Sequence, residues 1–565
     1  MKVAAAGQRR AELAARFPRW ERLPIHEHFA RSAAEFADRE FVVTDSGSVT
    51  YARMQSWVED LAAGLATAGL GRGDHIAVML ANYPEYIAVK YAVSRLGAVL
   101  VPLNYMFQLG ELEYALRNSA AVALLTMAEF RGLNYLGMLD AIAPGWAVSG
   151  FGEVLPELRY VAQFAAMGRC RDGVPTLEEL AAAGAGSSAA AAGVGGEDPS
   201  MILYTSGTTG SPKGVVWTHD QDARLGYGGA LTRAFADGWR TQSALPLYHA
   251  FANNEVLNAT MFVGGAVIPR LVFSAEDFLA AIARHRPHEI VTVPTMVVSL
   301  CESPAAATTD TSSVVALMSA GAPAPVWLWN KARELLGASE LTTGFGMTET
   351  GGGPVMSRPE DGIEAVATTV GRPKLGGVAG MPETGLLSQV RTVDPLTGQV
   401  LPDGAEGELI SRGPTNALGY WKNPAATAET FRDGWVFTGD LGRVLPDGSI
   451  QLTGRKKELI RTGAENVAPK EVEDLLTAHP AISQAYLVGI PDLKWGEIGC
   501  VWIVLEPGAE LTGQQVLELC APLARFKRPR SVRFLSAAEL PTTLTGKVQK
   551  FVLANWAATR PETDR

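Results

Sequence analysis

Apolar side chains recur at helical spacing early in the chain, at Met54, Trp57, Leu61 and Leu65, until Gly69-Leu70-Gly71 interrupts them. Positions three and four apart share one helix face, so this spacing predicts a helix packed on one side and stopped by glycine. Residues 75–80 then read as a buried strand, 84–96 as a helix opened by Pro84, and 99–103 as another strand. Strand and helix alternating in this way predict parallel sheets with crossover helices. The rhythm returns from Asp277 through Ile290-Val291-Thr292-Val293. Residues 181–198 are almost wholly Ala, Gly and Ser and read as a low-complexity linker. After about residue 385 the pattern shortens to β segments and turns, as in Gly407-Glu408-Leu409-Ile410 and Gly434-Trp435-Val436-Phe437. From Gly454 onward a compact α+β stretch is predicted, with a helix over 469–476 and strands over 484–489 and 500–505. The expected architecture is α/β: a large N-terminal domain over 1–453, with stacked sheets and a β-barrel-like subdomain, and a small mobile lid over 454–565.

Composition narrows the class. The chain has 565 residues, 47% of them apolar, enough to bury a large core. A net charge of −10 without a basic block argues against a nucleic-acid or anionic-membrane surface. Cys170, Cys301, Cys500 and Cys520 lie far apart with no Cys-x-x-Cys, so neither a zinc site nor a disulfide framework is indicated. The first residues form too short an apolar stretch before Arg9-Arg10 for a signal peptide, and Glu85, Lys90 and Arg95 break the longest apolar candidate span. A soluble, cytoplasmic protein is expected.

The chemistry concentrates in Thr205-Ser206-Gly207-Thr208-Thr209-Gly210-Ser211-Pro212-Lys213-Gly214, directly after the apolar run Met201-Ile202-Leu203-Tyr204. Glycines let backbone N–H groups approach phosphate oxygens, and the hydroxyls and Lys213 add neutralising donors. It is not a Walker A loop, because no hydroxyl residue follows Lys213 to reach magnesium. Nor is it a nucleophile elbow, since Tyr204 stands two residues before Ser206 where such an elbow has glycine.

Four further strings occur in order: Gly344-Phe345-Gly346-Met347-Thr348-Glu349; Thr438-Gly439-Asp440; Gly454-Arg455-Lys456-Lys457-Glu458; and Pro541-Thr542-Thr543-Leu544-Thr545-Gly546-Lys547. Together with the phosphate loop, this order and spacing resemble the adenylate-forming superfamily of acyl-CoA synthetases, peptide-synthetase adenylation domains and luciferases, over nearly the whole chain. The resemblance implies that Phe345 faces the adenine and Thr348 touches the α-phosphate. It implies that Glu349 and Thr205 bind Mg²⁺, with Gly321, Ala322, Pro323, Gly344, Gly346 and Met347 lining the nucleotide. Asp440 would accept from the ribose hydroxyls, two acceptors in one plane suiting a cis-diol, with Arg455 beside it. Lys547 would bridge carboxylate and phosphate during adenylation, and Lys457 would be the hinge. Gly463, Glu465 and Asn466 resemble the loop facing the thiol tunnel. His249, in Pro246-Leu247-Tyr248-His249-Ala250-Phe251, stands where the family places a gate against the substrate carboxylate. Phenylalanine at 345, where tyrosine is commoner, keeps stacking and loses a hydroxyl. Thr542 departs from a usual basic residue.

The resemblance therefore implies a two-step ligase using ATP, Mg²⁺ and coenzyme A, with Lys547, His249 and Lys213 as catalytic groups. The acid would be lined by Tyr248, His249, Asn253, Asn254, Ala320, Gly321, Gly346, Gly351 and Gly352. Ala252 in Phe251-Ala252-Asn253-Asn254 stands where amino-acid-activating domains carry aspartate, which disfavours an amino-acid substrate. Small residues in Ala320-Gly321-Ala322 and Gly351-Gly352-Gly353 are expected to leave volume for a bulky or medium-to-long apolar acyl group. A ligase loading a carrier protein, an aryl-CoA ligase, a luciferase-like oxidiser and a non-catalytic nucleotide-binding protein remain alternatives. A homodimer is compatible with this class.

Overall fold

The computed structural model describes residues 3–165, 168–187, 193–205, 212–462, 465–543 and 548–559, with only the backbone of 465 and 466. The chain divides into two compact units, residues 1–389 with 412–436, and residues 390–411 with 437–565. The stretch 437–453, grouped with the first domain from sequence, thus lies in the second unit. Lys457, the expected hinge, falls within that second unit.

In the first unit two seven-stranded sheets carry the fold. One contains His75–Met79, Val99–Pro102, Ala123–Met127, Tyr160–Phe164 and Pro199–Thr205 as parallel neighbours, then Lys213–Thr218 and Gly419–Tyr420 running antiparallel at one edge. The other is parallel through Arg240–Ser243, Ala266–Pro269, Glu289–Thr292, Ala316–Ser319 and Glu340–Thr342. Crossover helices follow the expected pattern. Thr50 caps Tyr51–Thr67 by accepting from the Arg53 N–H, and left-handed Gly97 ends Pro84–Leu96. The buried stripe of the first of these is Met54, Val58, Leu61 and Leu65; Trp57 is only half-buried.

The Ala/Gly/Ser stretch begins as structure rather than linker. Its first residues complete the helix Leu177–Gly184, started by a capping box of Thr176 and Glu179. A Cβ on Gly184 would sit 2.0 Å from the Asp60 carbonyl oxygen, and one on Gly64 would sit 1.9 Å from that of Leu180. Small residues here let two helices touch backbone to backbone, a use that composition alone disguises as low complexity.

Polar groups are also buried here. The helix His219–Thr232 is buried along its whole length, Asp220, Asp222 and Arg224 included. It packs beside a π-type turn, Asn253–Asn258, whose residues are all buried. Lys90 pairs with Asp222 at 3.0 Å and with Asn253, while Arg233 bonds Glu289 at 2.7 Å and Glu255 at 3.2 Å, and Lys374 closes on Glu255.

The second unit holds a half-barrel sheet with the strands Gln389–Val393, Gly407–Arg412, Trp435–Val444 and Ile450–Arg455. A separate sheet then contains Ile460–Thr462, Glu465–Val467, Ile482–Asp492, Gly496–Leu505 and Ser531–Phe534. The helices Pro469–Thr477 and Gly513–Leu519 cover it with an aliphatic core of Ile460, Val472, Leu476, Leu487, Val501, Ile503 and Val516. Both expected strands run longer than their apolar runs, because a twisted two-stranded ribbon continues past the core into solvent as far as Asp492 and Gly496.

Candidate active site

The phosphate-loop reading falls on a hairpin. Pro199–Thr205 pairs antiparallel with Lys213–Thr218, and Thr205 stands directly opposite Lys213. Ser206, Gly207, Thr208, Thr209, Gly210 and Ser211 lie outside the described residues. The chain returns at Lys213 as a strand, and among the described residues no helix begins at the turn end of this hairpin; an anion there would depend on loop N–H groups, hydroxyls and Lys213. The Thr205 hydroxyl donates to the Lys213 carbonyl at 3.4 Å. The Tyr114 hydroxyl donates to the Pro212 carbonyl at 2.9 Å, anchoring the returning arm.

The second motif forms a tight shelf. Gly344–Phe345 pairs with Val355–Met356, and Phe345 is half-buried. A 3-10 turn, Thr348–Thr350, comes next, ended by Gly351 and Gly352 at φ of 88° and 86°. A Cβ at Gly346 would lie 2.6 Å from the Gly352 carbonyl oxygen, so glycine permits this closure. Three groups absent from the sequence reading fix the shelf. The buried Trp217 indole donates to the Thr348 carbonyl at 2.8 Å, and the Ala417 N–H donates to the Glu349 carbonyl at 2.9 Å. The Tyr420 hydroxyl donates to Glu349 Oε1 at 2.6 Å. Lys213 Nζ lies 4.9 Å from the centre of the same tyrosine ring. Burial and the adjacent carboxylate push the Tyr420 phenol well above its ordinary range, so it stays a donor. Nothing in the local sequence marks Tyr420 or Trp217; only the fold brings them to residues 348 and 349.

Among the described residues no group of three or more His, Cys, Asp and Glu could hold a metal ion. The donors expected for a cation, the Glu349 carboxylate and the Thr205 hydroxyl, are hard oxygens. They fit Mg²⁺ that draws its remaining ligands from phosphate and water.

On the expected acid side, Tyr248 meets Tyr105 edge-on at 5.4 Å, and burial pushes its phenol well up. His249 caps a short helix, its Nδ1 accepting from the Phe251 N–H at 3.2 Å. The neutral ring then carries its proton on Nε2. The Asn253 and Asn254 amides face inward. Asn253 accepts from Lys90 and donates to Asp222 at 2.7 Å, and Asn254 donates to the Gly351 carbonyl at 2.7 Å. Ala320 is buried at the end of Ala316–Ser319, and Gly321, Ala322 and Pro323 form an exposed turn after it. For Gly351 and Gly352 the volume argument needs correction, whereas a Cβ at Gly353 or Gly321 would meet nothing nearer than 3.6 Å or 3.7 Å, respectively. A Cβ on Gly351 would meet Leu225 at 2.6 Å, and one on Gly352 would meet Ala250 at 2.9 Å. These glycines serve positive φ and close packing and leave no space.

The second unit presents Asp440 opposite Arg455 on adjacent strands, with Arg455 Nε 2.9 Å from Asp440 Oδ1. Lys456 pairs with Glu408 at 2.8 Å, and Lys457 is exposed in the 3-10 turn Lys456–Glu458. The backbone of Glu465 and Asn466 lies in Glu465–Val467; Gly463 and Lys547 lie outside the described residues. Lys550 bonds Glu473 at 2.8 Å and Glu458 at 3.1 Å.

Comparison with known proteins identifies the family. The family model for AMP-binding enzymes matches residues 29–421, and that for the AMP-binding enzyme C-terminal domain matches 471–547. A feruloyl-CoA synthase from Amycolatopsis sp is 33% identical over 504 residues, 89% of this chain and 93% of that protein. A mitochondrial medium-chain acyl-CoA ligase from Danio rerio is 32% identical over 545 residues, 92% of this chain and 86% of that protein. The solved structure of ATP-bound MatB from Rhodopseudomonas palustris matches with a TM-score of 0.80 at 28% identity, covering 95% of this chain and 99% of that one. With both family models in sequence order along most of its length, the chain belongs to the AMP-binding enzyme family.

Proposed function

We propose that the protein is an AMP-forming acid–thiol ligase that activates a carboxylic acid with ATP and passes the acyl group to coenzyme A. A carboxylate oxygen attacks the α-phosphorus and pyrophosphate leaves; the coenzyme A sulfur then attacks the acyl carbon and AMP leaves. Catalysis is mainly positioning and charge stabilisation. The hydroxyl-rich turn and Lys213 hold phosphate oxygens, and Thr348 and Phe345 hold the α-phosphate and the base. Glu349 and Thr205 hold Mg²⁺, which when bound neutralises charge on the phosphates. His249, with its proton on Nε2, donates to the acid's carboxylate and keeps it beside the α-phosphate. Asn253 and Asn254 shape the acid's wall through their inward hydrogen bonds. Asp440 and Arg455 take the ribose. Lys547 balances charge during adenylation, and Lys457 is the pivot that withdraws it before thioester formation, with Gly463, Glu465 and Asn466 on the thiol's path. Four free cysteines suit a reducing, cytoplasmic setting.

The observation that carries this reading is the convergence of Lys213, Tyr420 and Glu349 at the mouth of the hydroxyl-rich turn. An aromatic or medium-chain acid is favoured over acetate, because such acids are named for the relatives. Pyrophosphate release across a panel of carboxylic acids, with and without coenzyme A, tests it. The expected result is acid-dependent release, with thioester and AMP appearing once coenzyme A is added. Release without thioester would replace coenzyme A by a carrier protein as acceptor. Faster turnover of acetate or propionate than of octanoate or ferulate would overturn the acid class.

A further inference from the structure

Lys213 and Glu349 are 136 residues apart, yet both rest on one side chain. Tyr420 sits in the short edge strand Gly419–Tyr420, which pairs antiparallel with the returning arm of the phosphate hairpin, Tyr420 facing Val215. That register puts its ring beneath Lys213 Nζ, 4.9 Å away, and its hydroxyl 2.6 Å from Glu349 Oε1. The same segment holds the Glu349 backbone through the Ala417 N–H at 2.9 Å. Tyr420 and Glu349 are both buried, at 9% and 6% exposure, so the hydrogen bond is shielded from competing water. The segment is itself tied down. The Trp421 N–H donates to the Gly214 carbonyl at 2.7 Å, and the Tyr420 N–H donates to the Thr427 hydroxyl at 2.9 Å.

The geometry assigns Tyr420 as a positioning residue that sets the metal-binding carboxylate and the phosphate-binding lysine relative to one another, through its hydroxyl and its ring respectively. This rests on the proposed role of Glu349 toward Mg²⁺. The hydroxyl donates to one carboxylate oxygen and so fixes the orientation in which the other meets a cation. The ring offers its negative face to the ammonium and holds it without neutralising it, leaving its N–H donors for phosphate. A carboxylate there in place of the ring would seat Lys213 by consuming those donors.

The two functions separate by substitution. Tyr420→Phe keeps the ring and removes the hydroxyl; Tyr420→Leu removes both. Calorimetric titration with α,β-methylene-ATP, whose α–β bridge cannot be cleaved, is carried out in saturating Mg²⁺ and again in EDTA. Glu349→Gln serves as reference, and thermal midpoints are recorded for all four proteins. Wild type gains affinity from Mg²⁺. Tyr420→Phe is expected to keep its metal-free affinity within about twofold and to lose about tenfold of the Mg²⁺-dependent gain, the worth of a hydrogen bond to a charged group. Tyr420→Leu is expected to lose, in addition, about threefold of the metal-free affinity, as expected for a cation–π contact.

If Glu349→Gln abolishes the gain while Tyr420→Phe retains it in full, the positioning role is overturned and the role of Glu349 stands. If Glu349→Gln also retains the gain, or wild type shows none, the metal reading beneath it falls. If both tyrosine variants lose affinity equally in Mg²⁺ and EDTA with a matching drop in thermal midpoint, Tyr420 is a packing residue and the assignment is overturned.

Discussion

The two units solve burial differently. The core of the second is aliphatic, and its ion pairs keep at least one partner partly exposed, from Lys527 with Glu471 at 2.6 Å at the rim to Lys456 with the buried Glu408 and Lys550 with Glu473, both at 2.8 Å. The first unit buries ions outright, with Lys90, Asp222, Arg233, Glu255, Glu289 and Lys374 each at most 2% exposed. Such groups are tolerated only where each finds partners, since a lone buried charge is far costlier than a paired one. Lys90 shows the solution: its ammonium donates to Asn253 and to Asn258 at 3.1 Å and pairs with Asp222. The polar interior flanks the shelf of Glu349 and the π-type turn, where conformational uniqueness matters for chemistry.

The sharpest contrast to break is functional. Lys547→Ala is expected to slow acid-dependent pyrophosphate release by ~10²–10⁴ while leaving thioester formation from supplied acyl-adenylate nearly intact. Lys457→Pro is expected to do the reverse, and equal losses in both half-reactions for either variant would remove the two-conformation scheme. Next in size, Asp222→Ala leaves the Lys90 ammonium buried without its counter-ion and is expected to cost about 3–5 kcal/mol in chemical unfolding. A cost below about 1 kcal/mol would mean that water reaches the site.

The third prediction concerns pH. Burial raises the Glu289 carboxyl to about 7 despite the Arg233 guanidinium beside it, with Glu255 adding to the rise. A folded-state value above the ordinary 4.5 means that the native protein holds the proton more tightly than the unfolded chain. Its stabilising contribution is therefore complete below about 4.5 and lost as pH rises through about 7. Unfolding midpoints of Glu289→Gln should accordingly improve relative to wild type as pH rises from about 5 to about 8; parallel curves would contradict this. The smallest effect belongs to the rim of the second unit, where Lys527→Ala should change stability by less than about 1 kcal/mol.

The sheet architecture was legible because apolar runs such as 75–79 and 99–102 are buried on both faces and need no tertiary information to stand out. The helix His219–Thr232 was not, because Asp220, Asp222 and Arg224 make a fully buried helix look like a solvated one. The antiparallel return after residue 212 was equally hidden, since glycine and hydroxyl content specifies a turn and carries no information on the strand beyond it. At the site, residues carrying a motif stand out by their neighbours in sequence. Tyr420 and Trp217 have no such neighbours, and their roles come from strand register. Glycines 351 and 352 stand out in sequence as sources of volume, yet their physical reason is different, because φ and the approach of Leu225 and Ala250 appear only in three dimensions.

On the proposed reading, in which Asn253 helps to line the acid, the network of Lys90, Asp222, Asn253 and Asn258 constrains how this enzyme could drift toward new acids. Each member bonds or pairs with at least one other, so exchanging one strands a buried charge or amide. Lineages that alter this wall must change several positions together or accept a temporary loss of folding. Retargeting by laboratory evolution is better begun at Tyr248, an acid-lining residue on the proposed reading, which lies outside that network.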